Sequence, residues 1–193
     1  MVGDPEAALL ELARILDAAG VTYAVGGSVA SGHHGEIRAT NDIDVLVELG
    51  PGEARRFREQ LGQVWHVDET ALEAAVRGGR SFSIVHLERI VKVDLFPATE
   101  TRLDRLQLAR RVAVRLGERG DEVVWFTSAE DTILMKLEWY RRSGGALERQ
   151  LRDVAGVLKT RGRDLDLAYL RAAARELGLA ELLERSLQEA GLA

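Results

Sequence analysis

The most constraining part of the sequence is the stretch between residues 26 and 44. Apolar residues before and within this stretch predict two strands, and a glycine pair predicts a tight turn from the first strand into a helix. The polar residues that matter are two glycines, a serine and an Asp-x-Asp pair: Gly26, Gly27, Ser28, Asp42 and Asp44. Because side chains alternate along a strand, the two carboxylates project from the same face.

A third aspartate, Asp94, lies in a later apolar run over residues 90–96. If its strand neighbours that of Asp42 and Asp44, three carboxylates meet at one place. Such carboxylates repel one another and need a cation, and hard oxygen ligands suit Mg²⁺. The pattern therefore predicts that Asp42, Asp44 and Asp94 hold two Mg²⁺ ions, with Mn²⁺ as an alternative. Asp94 would be a general base or a ligand of the ion that activates a nucleophile.

The glycine turn completes this predicted site. Two glycines allow close backbone approach, and the free N–H groups of the following helix favour anions. Gly26, Gly27 and Ser28 are therefore predicted to hold the phosphates of a nucleotide. Taken singly, a glycine turn, an Asp-x-Asp pair and a later aspartate each have an ordinary structural interpretation. Their combination in the order strand, turn, helix, strand favours a metal and nucleotide site.

Composition limits the other classes of function. The chain has 193 residues, enough for one compact unit or two small subdomains, and 46% of them are apolar. No apolar run approaches the ~20 residues of a membrane span, and no basic segment of a secretory signal is visible near the start. The absence of cysteine excludes disulfides and thiolate chemistry. We therefore expect a cytoplasmic protein with no membrane partner, and the net charge of −5 argues against bulk attraction to nucleic acid.

Periodicity predicts an α/β part followed by a helical part. The expected elements are helices over 5–19 and 28–34 and from Pro51, strands over 21–25 and 42–48, short elements near Val64 and Ala71, a hairpin of 82–87 with 90–96, and a strand pair of 111–116 with 122–126. Thr127 and Glu130 have the spacing of a capping box that opens the next helix. We predict an α/β catalytic domain over residues 1–126 and a C-terminal subdomain of about four helices over 127–193.

The glycine turn, the Asp-x-Asp pair and the later aspartate resemble the DNA polymerase beta-type nucleotidyltransferase superfamily over residues 21–96. The run Gly-Gly-Ser-x-Ala with later polar residues is similar to the small bacterial AbiEii-like branch; these residues are His34, Gly35, Arg38, Thr40 and Asp42. Glu130, Asp131 and Lys136 also resemble the opening of that branch's helical half. The resemblance implies an α+β fold with a mixed sheet flanked by helices, a helical C-terminal part, Mg²⁺ and a nucleoside triphosphate. Some members are toxin–antitoxin components that modify tRNA or a partner protein.

Several further residues allow either a functional or a structural interpretation. Arg38 and Thr40 could contact phosphate or steady the loop before Asp42. Lys136 could reach the β- and γ-phosphates or lie on the surface. An ordinary Arg149–Asp153 ion pair is favoured over a role of these residues in the site.

The sequence therefore predicts a nucleotidyltransferase that moves a nucleoside monophosphate to an unidentified hydroxyl on an RNA end, a protein or a small molecule. The alternatives are a non-catalytic module that binds a nucleotide or a partner protein, and a toxin–antitoxin component. A homodimer or a complex with a partner protein is also open.

Overall fold

A computed structural model describes residues 4–36, 40, 42–99 and 101–192 of the chain. Within these ranges the elements follow in this order: α1 Pro5–Ala19, β1 Tyr23–Val25, α2 Gly27–His34, β2 Asp42–Val47, α3 Pro51–Gln60, β3 Trp65–Val67, α4 Glu69–Gly78, β4 Phe82–His86, β5 Val91–Pro97, α5 Arg102–Ala109, β6 Val112–Leu116, β7 Glu122–Phe126, α6 Ala129–Arg142, α7 Glu148–Arg161, α8 Leu167–Glu176 and α9 Ala180–Glu189.

The strands form one mixed sheet with the order β3-β4-β5-β2-β1-β7-β6. β2 runs parallel to β5 and β1 runs parallel to β7, while the other neighbouring pairs are antiparallel. β2 therefore lies at the centre of the sheet, hydrogen-bonded on both edges. The predicted fold class, an α+β fold with a mixed sheet flanked by helices and followed by a helical part, is confirmed.

Helix α1 shows how local sequence fixes the elements that cover the sheet. Asp4 caps its start, since Asp4 Oδ1 accepts a hydrogen bond of 3.0 Å from the backbone N–H of Ala7. Pro5 occupies the first turn, where its missing N–H costs nothing. Leu12 and Leu16 are buried on one face of the helix. This apolar face packs in the same core as the inner side of the sheet.

The buried apolar side chains form two main clusters. One joins the sheet with α1, α3 and α4, and its large members include Tyr23, Phe57 and Ile84. The other joins α6, α7, α8 and α9, and it also includes Leu103 and Leu106 of α5. A helix that precedes β6 in the chain therefore packs into the core of the C-terminal helices. The boundary between residues 126 and 127 stays a prediction.

Two local features differ from the sequence prediction. Helix α5 was not predicted; Thr101 caps it, with the backbone N–H of Asp104 donating to Thr101 Oγ1 at 3.1 Å. The cap of α6 is Ser128 and not Thr127, because Ser128 Oγ accepts a hydrogen bond of 3.1 Å from the backbone N–H of Asp131. Both residues at this point have capping side chains, and the hydrogen-bond geometry selects the second.

In the part of the chain that the structure describes, no helix combines the length and the apolar character that crossing a bilayer requires.

Candidate active site

Asp44 and Asp94 stand directly opposite each other on neighbouring strands. The parallel register of β2 and β5 pairs Asp44 with Asp94 and Asp42 with Lys92. Neighbouring strands lie about 5 Å apart, and residues opposite each other share a face of the sheet. Asp44 and Asp94 are half-buried, whereas Asp42, the first residue of β2, is exposed. The register thus places Asp44 opposite Asp94, with Asp42 and Lys92 as the neighbouring pair on the same face of the sheet.

The glycine turn packs directly on Asp44. The backbone N–H of Gly26 donates a hydrogen bond of 2.8 Å to the carbonyl oxygen of Asp44, which ties the turn to β2. Gly27 has a φ of 58°, in the left-handed region that favours glycine. A Cβ placed on Gly27 would lie only 1.8 Å from Asp44 Oδ2. Glycine is therefore required here both by the backbone and by the neighbouring carboxylate.

The surroundings of Asp44 disfavour its negative charge. Burial raises the pKa of the Asp44 carboxyl, and the charges of Asp94 and Asp42 raise it further. The positive charges of Lys136 and Lys92 act in the opposite direction. A divalent cation at this place would relieve the repulsion between the carboxylates and replace part of the lost hydration.

Both carboxylate oxygens of Asp94 already have partners. Ser83, which the β4–β5 register places opposite Asp94, donates from Oγ to Asp94 Oδ1 at 2.5 Å. Lys92 donates from Nζ to Asp94 Oδ2 at 2.7 Å. This hydrogen bond raises the pKa of the Lys92 ammonium, and the charges of Asp94, Asp42 and Asp44 add to the effect. The Lys92 ammonium therefore lies in the field of all three aspartates.

Lys136 reaches the site from the helical part. This residue of α6 is 5% exposed, so it is not a surface lysine. Its Nζ donates to Asp153 Oδ2 of α7 at 2.6 Å. The sequence favoured Arg149 as the partner of Asp153, but the structure pairs Asp153 with Lys136. Because the Lys136 charge also lowers the pKa of Asp44, it lies close enough to influence an anion bound there.

Thr40 makes two local hydrogen bonds to the first residue of β2. Thr40 Oγ1 donates to the Asp42 carbonyl oxygen at 3.0 Å and accepts from the Asp42 backbone N–H at 3.3 Å. Thr40 therefore fixes the start of β2. Ser28 lies in the first turn of α2, where its carbonyl oxygen accepts a hydrogen bond of 3.2 Å from Ser31 Oγ. Arg38 lies outside the described residues. Phosphate binding by Ser28, Thr40 and Arg38 stays a prediction.

The residues fit a Mg²⁺ ion that is shared with a substrate. Among the described residues, no group of three or more His, Asp or Glu side chains is gathered as a ready-made metal site. Mg²⁺ does not need such a group, because it is usually held by one or two carboxylates together with waters and substrate phosphates. Asp44 and Asp94, opposed across two strands, provide such a pair.

Three residues around the aspartates were not assigned to the site from the sequence: Ser83, Lys92 and Asp153. The alternation of β5 places Lys92 on the face of Asp94, so its proximity could have been inferred. Ser83 depends on the hairpin register, which is set by the tip at residues 87–90. Asp153 depends on helix packing and has no signal in the sequence.

Two other sets of residues have structural roles. Among the arginines of residues 102–119, Arg102 pairs with Glu176, Arg110 lies over the Tyr169 ring, and Arg111 lies over the Trp125 ring.

The adjacent histidines differ from each other, as their positions on a helix predict. His34 is buried, and its Nε2 lies 2.7 Å from the Thr127 carbonyl oxygen. His33 packs against Phe126.

Comparison with solved structures supports the fold. An antigenic nucleotidyltransferase-like protein from Paracoccidioides brasiliensis superposes with a TM-score of 0.58 and 15% identity, covering 97% of this chain and 94% of that one. The chain has a nucleotidyltransferase-like fold. At this identity the likeness establishes the fold and not the activity. No protein-family model matches the sequence, and no curated protein matches it.

Two further solved structures resemble the chain more weakly. The antibiotic-resistance factor ANT(2'')-Ia has a TM-score of 0.47 and 17% identity, covering 93% of this chain and 98% of that one. JHP933 from Helicobacter pylori has a TM-score of 0.48 and 12% identity, covering 98% of this chain and 82% of that one. The fold assignment rests on the stronger likeness above.

Proposed function

We propose that the protein is a nucleotidyltransferase that moves a nucleoside monophosphate from a nucleoside triphosphate to an acceptor hydroxyl. The observation that carries the proposal is the register pairing of Asp44 with Asp94. This pair adjoins a glycine turn in which Gly27 leaves no room for a side chain. Opposed carboxylates beside the start of a helix combine a place for a cation with a place for a phosphate chain.

Each residue has a role that follows from its position. Asp44 and Asp94, with Asp42 at the exposed side, would hold Mg²⁺, or Mn²⁺ in its place. When bound, such an ion neutralises the triphosphate and lowers the pKa of an attacking hydroxyl. The backbone at Gly26 and Gly27 and the Ser28 hydroxyl would face the phosphates, because they lie at the start of α2 beside Asp44. Lys136 would add a positive charge from α6 in the helical part.

The reaction would be an in-line displacement at the α-phosphorus of the nucleoside triphosphate. The acceptor oxygen forms a new bond to phosphorus as the bond to the β-phosphate oxygen breaks, and pyrophosphate leaves with that electron pair. The hydroxyl proton would pass to the Asp94 carboxylate, which stands opposite Asp44 on β5. The acceptor would enter between the sheet and the helical part, since Lys136 and Asp153 form the helical side of the site.

The test is label transfer from each of the labelled nucleoside triphosphates in the presence of Mg²⁺. Cell RNA, lysate protein and small-molecule extracts are supplied as separate acceptor pools, and tRNA is included in the first. Transfer is expected for the unmodified chain and is expected to vanish in Asp44→Ala. Asp121→Asn, which changes an exposed aspartate outside the site, is the matched control. Absence of transfer to every pool would refute the proposal, and tight nucleotide binding without turnover would replace it by a non-catalytic binding module.

The AbiEii-like branch and a role as a toxin–antitoxin component are the finer part of the proposal. They are supported by the run of residues from Gly26 to Asp42. Growth of cells that express the chain, with and without the adjacent gene, tests this part. Growth arrest that the adjacent gene relieves and that Asp44→Ala abolishes is the expected result; normal growth in all cases would refute the toxin role.

A further inference from the structure

The cluster of three aspartates contains a positive charge of its own. Lys92 Nζ lies 2.7 Å from Asp94 Oδ2, and the Lys92 side chain is 46% exposed. The register places Lys92 opposite Asp42, on the same face of the sheet as all three carboxylates. Lys92 therefore reaches the place between the strands where a cation held by Asp94 would lie.

A hydrogen bond to Asp94 Oδ1 limits the rotation of the Asp94 carboxylate. Ser83 Oγ donates to Asp94 Oδ1 at 2.5 Å, so rotation of the carboxylate would break this hydrogen bond. Oδ2 is the oxygen that points to Lys92. A divalent ion that binds Asp94 Oδ2 therefore competes with the Lys92 ammonium at the same oxygen, because the two positive charges repel each other there.

We propose that Lys92 is a tethered cation of the active site that holds Asp94 before the nucleotide binds and competes with a divalent ion for that carboxylate. This inference rests on the proposed function, because it takes the aspartates as the metal ligands. Lys92 acts as a positioning residue: it keeps three like charges together without an ion, and it must turn towards solvent when a divalent ion enters. Its half-exposed side chain has room for that movement.

The competition has a predictable size. A unit charge and a double charge about 5 Å apart repel in a water-like medium by an amount that corresponds to about a tenfold change in affinity. Removing the Lys92 charge should therefore tighten divalent-ion binding by about tenfold or more. An ordinary exposed ion pair would have no such effect, because its partner carboxylate would not be a metal ligand.

The experiment measures Mn²⁺ affinity of the full chain without nucleotide, by the loss of the free Mn²⁺ signal in electron paramagnetic resonance and by calorimetry. Lys92→Met and Lys92→Ala remove the charge, and two replacements guard against a folding defect in either one. Lys92→Arg keeps the charge. Lys159→Met is the matched control, because Lys159 is 78% exposed and pairs with Glu36 away from the aspartates.

About tenfold tighter Mn²⁺ binding in both neutral variants, with Lys92→Arg and Lys159→Met close to the unmodified chain, is the expected result. Equal or weaker binding in the neutral variants would overturn the proposal. Label transfer measured on the same samples separates the two claims. If the neutral variants bind Mn²⁺ with unchanged affinity and transfer label normally, only the role of Lys92 is refuted. If no variant binds Mn²⁺ or transfers label, both that role and the proposed function are refuted.

Discussion

Replacing Gly27 by alanine tests the geometry on which the site depends. The added Cβ would lie 1.8 Å from Asp44 Oδ2, 2.6 Å from Cγ and 2.7 Å from Cβ of the same side chain. Rotation of the carboxylate alone cannot relieve a contact with its own Cβ, so the turn or β2 must shift. The substitution also forces alanine to a φ of 58°. We expect Gly27→Ala to damage the site more than the fold.

The effect of Gly27→Ala on stability and its effect on the rate of transfer differ in expected size. Holding a residue with a side chain in the left-handed region costs about 1–2 kcal/mol. For a chain of this length, that corresponds to a fall in the melting temperature of about 2–8 °C. Displacing a reacting group by about 1 Å can lower a rate by about 100-fold. We therefore expect Gly27→Ala to lose at least about 100-fold in label transfer, and to bind Mn²⁺ more weakly, while it remains folded.

Two other glycines serve as controls that separate the backbone strain from the contact with Asp44. Gly120 has a φ of 61° and nothing within 4 Å of an added Cβ, so Gly120→Ala carries the backbone strain without the contact. Gly62 lies outside the site, has no φ in the left-handed region and has nothing within 4 Å of an added Cβ, so Gly62→Ala adds the same atom with neither strain nor contact. Thermal unfolding and label transfer are measured for all three variants. Transfer by Gly27→Ala at a rate close to that of Gly120→Ala would refute the argument that Gly27 protects the position of Asp44.

Four further outcomes follow from the same contacts. The folded structure raises the pKa of the Asp44 carboxyl, so the negative charge of Asp44 is unfavourable in the folded protein. Asp44→Asn removes this charge and should therefore abolish label transfer without lowering the melting temperature. Lys136→Met removes the ammonium that donates to Asp153 Oδ2 at 2.6 Å and should lower the free energy of unfolding by about 2 kcal/mol in urea unfolding. An added Cβ on Gly35 would lie 2.7 Å from a backbone nitrogen of α7, so Gly35→Ala should lower the free energy of unfolding by about 2 kcal/mol in the same assay. Burial lowers the pKa of the His34 imidazole; the unfolded chain therefore binds more protons, and the free energy of unfolding should fall as the pH drops below about 6.5, with a smaller fall in His34→Gln.

Much of the arrangement around Asp44 could be predicted because it depends on short-range rules. Alternation along a strand places Asp42 and Asp44 on one face, and a glycine pair after an apolar run predicts the turn. The pairing of Asp44 with Asp94 could only be assumed, because the register of two parallel strands is decided by packing between distant segments. The sheet order, with β2 between β5 and β1, supplies that missing step.

The residues that sequence reasoning placed wrongly or missed share a dependence on tertiary contacts. The ion pair expected within α7 gives way to one between α6 and α7, since the buried Lys136 reaches the partly buried Asp153 across the helix interface. Helix α5 was missed because it has only eight residues, and Arg102, Asp104 and Arg105 interrupt its apolar positions. Its Leu103 and Leu106 gain their burial only from the C-terminal helices.

The helical part contributes to the position of the groups to which we assign the catalytic roles. An added Cβ on Gly35 would meet the backbone of α7 at 2.7 Å and 2.8 Å, so the end of α2 and the middle of α7 approach backbone to backbone. The start of the same α2 lies against Asp44, and α7 carries Asp153, which holds Lys136. A single short helix thus connects the glycine turn beside Asp44 to the helix that holds Lys136. Any shift between α2 and α7 would therefore change the distance between Lys136 and Asp44, the two residues that the proposed function places around a triphosphate.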